Sequence, residues 1–396
     1  MTEAVVVDVL RTASGRGKPG GALSATHPVD LLSAVLSALA ERNGLDPALI
    51  DDVVAGCANQ GGEQAANVGR NAALAAGFPE SVPGTTIDRQ CGSSQQAAHF
   101  VAQGVMAGAY EIAIACGVES MSRVPMGSPR GDKDAFGERM RRRYADGLVN
   151  QGVSAELIAA RWKLDRQDLD SFAERSHRLA TQAASRGDFD AEILPVPVTL
   201  PDGSSNLHRR DETVRTTDLQ RLASLPPSFR DEAVAARFPE IQWNITAGNS
   251  SPLTDGASAA LIMSEERAAS LGLRPRARFH AFALAGDDPV MMLTAPIPAT
   301  RKILQATGLS LDDIDTYEVN EAFASVPLAW ARDLGADPAK LNPSGGAIAL
   351  GHPLGASGVR LLTTMLSYLE RTGGRYGLQT MCEGGGMANV MIIERL

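Results

Sequence analysis

Several residue types are scarce in this chain of 396 residues, and each scarcity excludes a class of protein. Only four cysteines occur, too few for the disulfide framework of a secreted scaffold, so we expect free thiols and a cytoplasmic protein. No apolar run approaches the ~20 residues that a transmembrane helix needs. The six histidines are too scattered for the spacing of a zinc site, so we expect no metal.

A surplus of basic residues is also missing. The chain has 37 Lys and Arg residues against 46 Asp and Glu residues, which gives a net charge of −9. Because phosphate backbones and anionic lipid surfaces repel such a protein, we expect neither nucleic acid nor a membrane as partner. The remaining composition, 44% hydrophobic and 21% charged, is typical of a globular protein with a large core. Its length suggests two or three domains.

Short apolar strands alternate with helical segments, which is typical of βαβ units in an α/β protein. Strands are predicted at 5–10, 52–56, 112–116, 259–263, 316–319, 377–381 and 390–393. Helices are predicted at 31–42, 95–107, 299–307 and 359–371. Between 121 and about 251 the alternation stops, and the one strong helix there is predicted at 166–185. We interpret this segment as an insertion into the α/β body.

A weak internal repeat favours two related halves. A segment ending in Ile-Asp-Asp-Val, which contains Asp51, resembles one ending in Leu-Asp-Asp-Ile, which contains Asp312, at an offset of 261 residues. The same offset places His352 opposite Cys91. Reactive residues at matching points of two halves would form a site on a pseudo-twofold axis. A chance match of so few residues is the alternative.

Glycine is abundant, with 39 residues, and it surrounds three candidate reactive side chains. Cys91 precedes Gly-Ser-Ser at the start of a predicted helix, whose N–H groups and dipole would lower the pKa of the thiol. His352 lies near five glycines between positions 345 and 358, and its neutral imidazole can accept a thiol proton. Cys382 shortly precedes three glycines whose N–H groups can stabilise an oxyanion. Burial in a core is the alternative role for each thiol.

Four motifs resemble those of the thiolase family, in the family's order. They are Cys-Gly-Ser-Ser at Cys91, Asn-Glu-Ala-Phe at Asn320, Gly-Gly-Ala-Ile-Ala-Leu-Gly-His-Pro at His352, and Cys-Glu-Gly-Gly-Gly at Cys382. The resemblance implies the α/β thiolase fold, with two βαβαβαββ halves in a five-layered α-β-α-β-α arrangement and a homodimer or homotetramer. The halves would be 1–120 with 252–275, and 276–396, and 121–251 would be an inserted loop domain that carries the acyl-CoA pocket and oligomer contacts.

The resemblance also implies an activity and the roles of the residues. The reaction would be thiolytic cleavage of a 3-ketoacyl-CoA by CoA, or the reverse Claisen condensation of acetyl-CoA, through an acyl-cysteine. Cys91 would be the nucleophile, His352 near Asn320 would activate it and bind the enolate oxygen, and Cys382 would move the α-proton. The backbone N–H groups of Cys91 and Gly384 would form a second oxyanion hole. No cofactor is expected, because coenzyme A is a substrate.

Further residues would bind acyl-CoA by the same resemblance: Ser251, Ala322, Phe323, Met292 and Gln151. Core packing is the alternative for Met292. The chain departs from the family at two places. Pro226 stands where many thiolases have the arginine that contacts the nucleotide, and Arg221 or Arg230 would replace it. Asn150 and Gln151 stand where many have His-Met, which predicts an acyl chain other than acetoacetyl.

Two other functions are alternatives to a catalytic thiolase. A decarboxylating ketoacyl synthase of the same fold normally has two histidines with its cysteine, and the second cysteine at position 382 disfavours it. A non-catalytic acyl-CoA-binding or lipid-transfer relative is disfavoured because all four catalytic positions are intact. A Gly-x-Gly-x-x-Gly pattern at 15–20 resembles a dinucleotide site, but Pro19 interrupts it and the next helix begins too late.

Overall fold

The structure is a computed structural model that describes residues 2–199 and 203–396. Its strands are β1 (Ala4–Thr12), β2 (Gly15–Arg16), β3 (Asp52–Gly56), β4 (Gly84–Ile87), β5 (Ile112–Ser120), β6 (Ile193–Leu194), β7 (Val196–Thr199), β8 (Ser205–His208), β9 (Thr254–Ser264), β10 (Ala277–Gly286), β11 (Thr316–Val319), β12 (Tyr376–Glu383) and β13 (Met387–Arg395). Its α-helices are α1 (Pro28–Arg42), α2 (Val68–Ala75), α3 (Ser93–Met106), α4 (Gly137–Arg143), α5 (Gln151–Arg161), α6 (Arg166–Arg186), α7 (Leu219–Ala223), α8 (Glu232–Arg237), α9 (Glu265–Ser270), α10 (Pro296–Thr307), α11 (Ser325–Leu334), α12 (Ala347–Leu350) and α13 (Ser357–Thr372).

The strands form two halves with the same order. In the first half, β4, β3, β5, β9 and β1 lie side by side, and β9 is antiparallel to both of its neighbours. In the second half, β11, β12, β13 and β10 repeat this order, and β13 is the antiparallel strand. The counterpart of β4 is reduced to a single parallel bridge between Tyr317 and Leu341. The halves join where β1 pairs with β10 at Val5 and Val6.

Helices cover both faces of each half. Helices α1 and α2 pack on one face of the first half, and α10 and α11 pack on one face of the second. Helices α3 and α13 pack against each other and against the remaining faces of both halves, in a core that includes Val101, Leu362, Val6 and Met391. The order of layers is therefore helix, sheet, helix, sheet, helix, as predicted.

Two aspartates mark the internal repeat in three dimensions. Asp51 Oδ2 accepts hydrogen bonds from the N–H groups of Glu111 and Ile112, at 2.6 and 3.0 Å, where β5 begins. Asp315 Oδ2 accepts the equivalent bonds from Arg375 and Tyr376, at 2.7 and 2.9 Å, where β12 begins. The matched residues are 264 positions apart.

The predicted offset of 261 residues, which paired Asp51 with Asp312, is therefore wrong. Helices α3 and α13 begin at Ser93 and Ser357, which are again 264 positions apart. By this offset Gly355 is the counterpart of Cys91, and His352 lies three residues earlier. Both reactive residues still lie in equivalent loops, just before α3 and α13.

The irregular segment lies between β5 and β9. The helix predicted at 166–185 is α6, and Asp165 and Asp168 form its capping box. Helix α5 was not predicted, because residues 152–159 are all buried and the helix has no polar face to reveal its period. None of the helices in residues 2–199 and 203–396 combines the length and the apolar character needed to cross a membrane.

Candidate active site

The four motifs meet at one end of the two halves. Cys91 lies between β4 and α3, Asn320 directly follows β11, His352 lies before α13, and Cys382 is near the end of β12. A cavity of about 310 Å³ opens here, and His352 is part of its wall. The other lining residues are Met121, Met126, Asn150, Gln151, Phe229, Ser250, Ser251, Pro252, Leu253, Ala322, Phe323 and Leu354.

Both thiols lie behind this lining. Cys91 is 7% exposed and packs in one cluster with Met121 and Leu354, which line the cavity, and with Met381. Cys382, which follows Met381, is fully buried. Cys91 is among the charges that raise the pKa of Cys382, and Asn320 contacts His352, so the structure brings these four side chains to one region.

One wall of the cavity is formed by two loops that pair like short strands. The N–H and hydroxyl groups of Ser251 both donate to the carbonyl of Ala322, at 3.0 and 3.1 Å. The N–H of Ala324 donates to the carbonyl of Asn249 at 2.9 Å. This pairing presents Ser251, Ala322 and Phe323 to the cavity, as predicted for residues that contact acyl-CoA.

Asn150 and Gln151 have different roles, although both line the cavity. Asn150 Oδ1 accepts from the N–H of Val153 at 3.1 Å, so the side chain caps α5. Gln151 is the first residue of α5, and its Nε2 lies 3.8 Å from the sulfur of Met126. The amide of Gln151 is therefore the more available polar group for an acyl chain.

Phe229 and Phe323 meet edge to face, with ring centroids 5.9 Å apart. A Cβ at Gly152 would lie 2.3 Å from the Phe229 ring, so only glycine fits there. Three predicted contacts lie outside the lining. Met292 packs against the core of the second half, Arg221 is an exposed residue of α7, and Arg230 forms an exposed ion pair with Glu232 at 3.6 Å.

The hydrogen bonds of His352 determine its tautomer. The hydroxyl of Ser357 donates to the carbonyl of Pro353 at 2.8 Å, so its oxygen accepts from Nδ1–H of His352 at 2.7 Å. Nε2 therefore carries a lone pair, and Asn320 Nδ2 approaches it at 3.3 Å. The backbone N–H of His352 donates to the Thr254 hydroxyl at 2.9 Å. The imidazole is thus held with its basic nitrogen towards Asn320.

We expect Ser357→Ala to lower the turnover number for thiolysis by about 5- to 150-fold, because a lost buried hydrogen bond costs about 1–3 kcal/mol. Without this acceptor the imidazole can adopt the other tautomer, which has no lone pair on Nε2. Thr363→Val is a matched control, because Thr363 is a buried hydroxyl of α13 that donates only to a backbone carbonyl. Equal turnover numbers for the two variants would contradict this role for Ser357.

Burial determines the charge states of Cys91, His352 and Cys382. For Cys91 the direction of the pKa shift is opposite to the predicted one. Burial, followed by the Glu383 carboxylate, raises the pKa of the Cys91 thiol to about 12. The predicted lowering of this pKa is wrong, because burial outweighs the helix N-terminus. Burial, followed by Arg360, lowers the pKa of His352 to about 3. Burial, with Cys91 and Glu383, raises the pKa of Cys382 well above its usual value. The resting site therefore holds two thiols and a neutral imidazole.

The two predicted oxyanion donors lie on adjoining loops. Gln90, which precedes Cys91, has a positive φ of 50°, and its side chain extends towards Gly384. A Cβ at Gly384 would lie 3.1 Å from Gln90 Oε1. The side chain of the residue before Cys91 therefore reaches the glycine turn that connects β12 and β13.

Neither Ser357 nor Glu321 was predicted from the sequence to have a role at the site. Glu321 Oε1 accepts from Asn342 Nδ2 at 2.9 Å, and Oε2 accepts from the Ser176 hydroxyl and the Ile348 N–H at 2.7 and 3.1 Å. These hydrogen bonds hold the glycine-rich loop before His352 against the end of β11. Glu321 could have been singled out from the sequence because it directly follows Asn320. No local pattern distinguishes Ser357.

Comparisons with known proteins agree with this architecture. The sequence of residues 4–266 matches the family model of the thiolase N-terminal domain, and residues 273–395 match that of the thiolase C-terminal domain. The crystal structure of the Bacillus anthracis acetyl-CoA acetyltransferase superposes with a TM-score of 0.88 at 36% identity, covering 100% of this chain and 99% of that one. These matches confirm the predicted thiolase fold.

Curated relatives match over the whole chain. The steroid 3-ketoacyl-CoA thiolase FadA6 of Mycobacterium tuberculosis is 49% identical over 404 residues, covering 100% of this chain and 95% of the relative. The 3-oxoadipyl-CoA/3-oxo-5,6-dehydrosuberyl-CoA thiolase of Escherichia coli is 44% identical over 413 residues, covering both chains fully. With both family domains matched and the four motifs gathered at one cavity, this chain belongs to the thiolase family of acyltransferases.

Proposed function

We propose that this thiolase cleaves a 3-ketoacyl-CoA by CoA through an acyl-cysteine on Cys91, and that it also catalyses the reverse condensation. The observation that carries the mechanism is the tautomer of His352, whose Nε2 lone pair is held at the wall of a cavity backed by two buried thiols. A thiol can attack a carbonyl only as it loses its proton, and a neutral imidazole can accept that proton.

In the first half-reaction, Cys91 Sγ bonds to the 3-keto carbon while its proton moves to His352 Nε2. Thiolate and imidazolium form together, so that each charge stabilises the other. The bond between C2 and C3 then breaks, and Cys382 donates its proton to C2, which releases acetyl-CoA. In the second half-reaction, Cys382 takes the proton of the CoA thiol, whose sulfur attacks the thioester carbon. The bond from that carbon to Cys91 Sγ breaks, and His352 returns its proton to Cys91.

The oxyanions of these steps need hydrogen-bond donors. We assign the enolate oxygen to protonated His352 together with Asn320, and the tetrahedral oxyanion to the N–H groups of Cys91 and Gly384. Asn320 Nδ2 already lies 3.3 Å from Nε2, so the amide N–H and the Nε2–H that forms when the proton arrives can both donate to one oxygen. Because these side chains supply every proton transfer, the mechanism that we propose requires no cofactor.

For coenzyme A, we propose that Ser251, Ala322, Phe323 and Gln151 contact the pantetheine and acyl segments. Arg221 or Arg230 would pair with phosphates of the nucleotide, outside the cavity. We also propose a homodimer or homotetramer in the cytoplasm. Strand β4 is the terminal strand of its sheet and so presents an edge to which another strand can add.

The activity itself is tested by incubating the protein with a 3-ketoacyl-CoA and CoA and separating the products by chromatography. We expect acetyl-CoA and an acyl-CoA shortened by two carbons in equal amounts. Binding of substrate without release of acetyl-CoA would favour a non-catalytic acyl-CoA-binding protein. Release of carbon dioxide from a malonyl thioester would favour a decarboxylating synthase.

The substrate is expected to be a longer, branched or ring-bearing 3-ketoacyl-CoA. Gln151 places an amide beside the acyl region, and a polar group that must pair with the substrate discriminates more strongly than one methylene, which is worth ~1–3 kcal/mol. The names of the steroid and 3-oxoadipyl-CoA thiolase relatives support such a substrate. We expect a higher kcat/KM for longer or ring-bearing thioesters than for acetoacetyl-CoA. A clear preference for acetoacetyl-CoA would identify a short-chain acetyltransferase instead.

A further inference from the structure

A buried glutamate without a hydrogen-bond partner lies behind the nucleophile. Glu383 is fully buried, and neither of its carboxyl oxygens has a hydrogen-bond partner. Its one ion pair among the described residues is with Arg89, whose Nη1 is 4.0 Å from Oε2. A charged carboxylate in such a place is costly, because burial removes its hydration and no donor among the described residues forms a hydrogen bond with it. The mechanism above gives this residue no role.

The carboxyl group contacts the backbone next to Cys91. A Cβ at Gly92 would lie 2.1 Å from Glu383 Oε1 and 2.8 Å from Asn389 Nδ2, so only glycine allows this approach. Asn389 Nδ2 donates to the Gly92 carbonyl at 2.9 Å. Glu383 and Asn389 therefore meet the loop of the nucleophile at the same point.

Glu383 and Asn389 also share one face of the sheet. In the register of β12 and β13, Glu383 is opposite Met387, and Asn389 lies two residues further along, so the two side chains are diagonal neighbours. Asn389 Oδ1 is buried and has no partner. Two acceptor groups on one face of the sheet thus lack a donor, and one proton on the carboxyl group would supply it.

We propose that Glu383 is a positioning residue whose protonated carboxyl group donates to Asn389 Oδ1 and thereby supports the loop that carries Cys91. The bond orients the Asn389 amide, which in turn holds the Gly92 carbonyl. This inference rests on the proposed role of Cys91 as nucleophile.

The surrounding charges agree with a neutral Glu383. Burial raises its pKa to about 8 and Asp88 adds to the shift. Arg89 opposes it, as does the Asn389 N–H, which lies near the carboxyl group without forming a hydrogen bond of good geometry. The other titratable groups that face it are the thiols of Cys91 and Cys382, and an ionised Glu383 raises the pKa of both. Above about pH 8 the carboxyl group loses its proton, and the new negative charge then disfavours the Cys91 thiolate.

The test is the rate at which iodoacetamide alkylates Cys91 between pH 6.5 and 9.5, followed by mass spectrometry of the Cys91 peptide. Glu383→Gln keeps the shape of the side chain but cannot ionise. We expect the rate of this variant, divided by that of the wild type, to rise several-fold from pH 7 to pH 9. A ratio that stays constant would overturn the proposal.

Two further variants make the test specific. Glu318→Gln is a matched control, because Glu318 is also a buried glutamate whose pKa burial raises to about 8, but it faces Arg360. It should leave the wild-type pH dependence of alkylation intact. Glu383→Ala has no donor for Asn389, so we expect Cys91 to be acylated several-fold more slowly than in Glu383→Gln at pH 7. Equal acylation rates in these two variants would refute the positioning role.

The design separates this inference from the proposed function. Alkylation reports the Cys91 thiolate whether or not Cys91 carries the acyl group in turnover. The pH dependence of alkylation therefore tests the role of Glu383 independently of the proposed function. Circular dichroism identifies a Glu383→Ala variant that has not folded, in which case the ratio measured with Glu383→Gln decides.

Discussion

Replacing Cys91 with serine is expected to abolish covalent acylation and to reduce thiolysis by about 10⁴-fold or more, the scale seen when an enzyme loses its nucleophile. The neutral imidazole of His352, whose pKa is lowered to about 3, cannot deprotonate a serine hydroxyl, which is far less acidic than a thiol. The measurement is the intact mass after incubation with acetyl-CoA, with peptide mapping of the added acetyl group. An acetyl adduct that persists in the serine variant with wild-type lability would exclude Cys91 as the nucleophile.

Cys116→Ala is the matched control for this experiment. Cys116 is fully buried in β5, and burial raises its pKa as it does for Cys91. It lies in the core between α1 and the first half-sheet, away from the cavity. The acetyl adduct should therefore form normally in this variant, which shows that loss of any buried thiol does not suffice.

Replacing Cys382 with serine is expected to separate the two chemical steps. Cys91 should still acquire the acetyl group, whereas exchange of the acetyl-CoA methyl protons with deuterated water should fall by about 10²–10⁴-fold, the usual contribution of a general acid or base. Condensation of two acetyl-CoA molecules should fall with it, because the same proton must leave first. Exchange is followed by mass spectrometry of recovered acetyl-CoA.

A folded Cys382→Ser variant that no longer acquires the acetyl group would contradict this division of labour. Cys57→Ala is the control, since Cys57 is fully buried among core residues of the first half and does not line the cavity. It should exchange the methyl protons at the wild-type rate if only Cys382 moves them.

The sequence predicted the elements that have a clear period. Strands β3 and β11 lie at the predicted residues, and β1, β5, β9, β12 and β13 extend the predicted cores by a few residues. Strand β10 was not predicted, because Arg278 and His280 interrupt its apolar residues and it is only partly buried. Its pairing with β1 and β13 is a tertiary contact, which no local pattern reveals.

The motifs that meet at the cavity were also recognisable in the sequence, because each of them is local. Several of the glycines around Cys91, His352 and Cys382 stand where a Cβ would overlap a neighbouring backbone or side chain, so the motif reflects the geometry of the site. A Cβ at Gly92, for example, would overlap the carboxyl group of Glu383. The repeat offset failed because it aligned Asp51 with Asp312 instead of Asp315, and a match of so few residues does not fix the register.

By itself, the sequence determined the α/β architecture and the family, and it predicted the reactive side chains, because each of these depends on short stretches of neighbouring residues. Only the tertiary structure decided the protonation states. The pKa of Cys91 depends on burial and on Glu383, which is far away along the chain, and the tautomer of His352 depends on Ser357 in the first turn of α13. Electrostatic free energies are set by distances in space and by the exclusion of water, and neither quantity exists until the two halves have packed together.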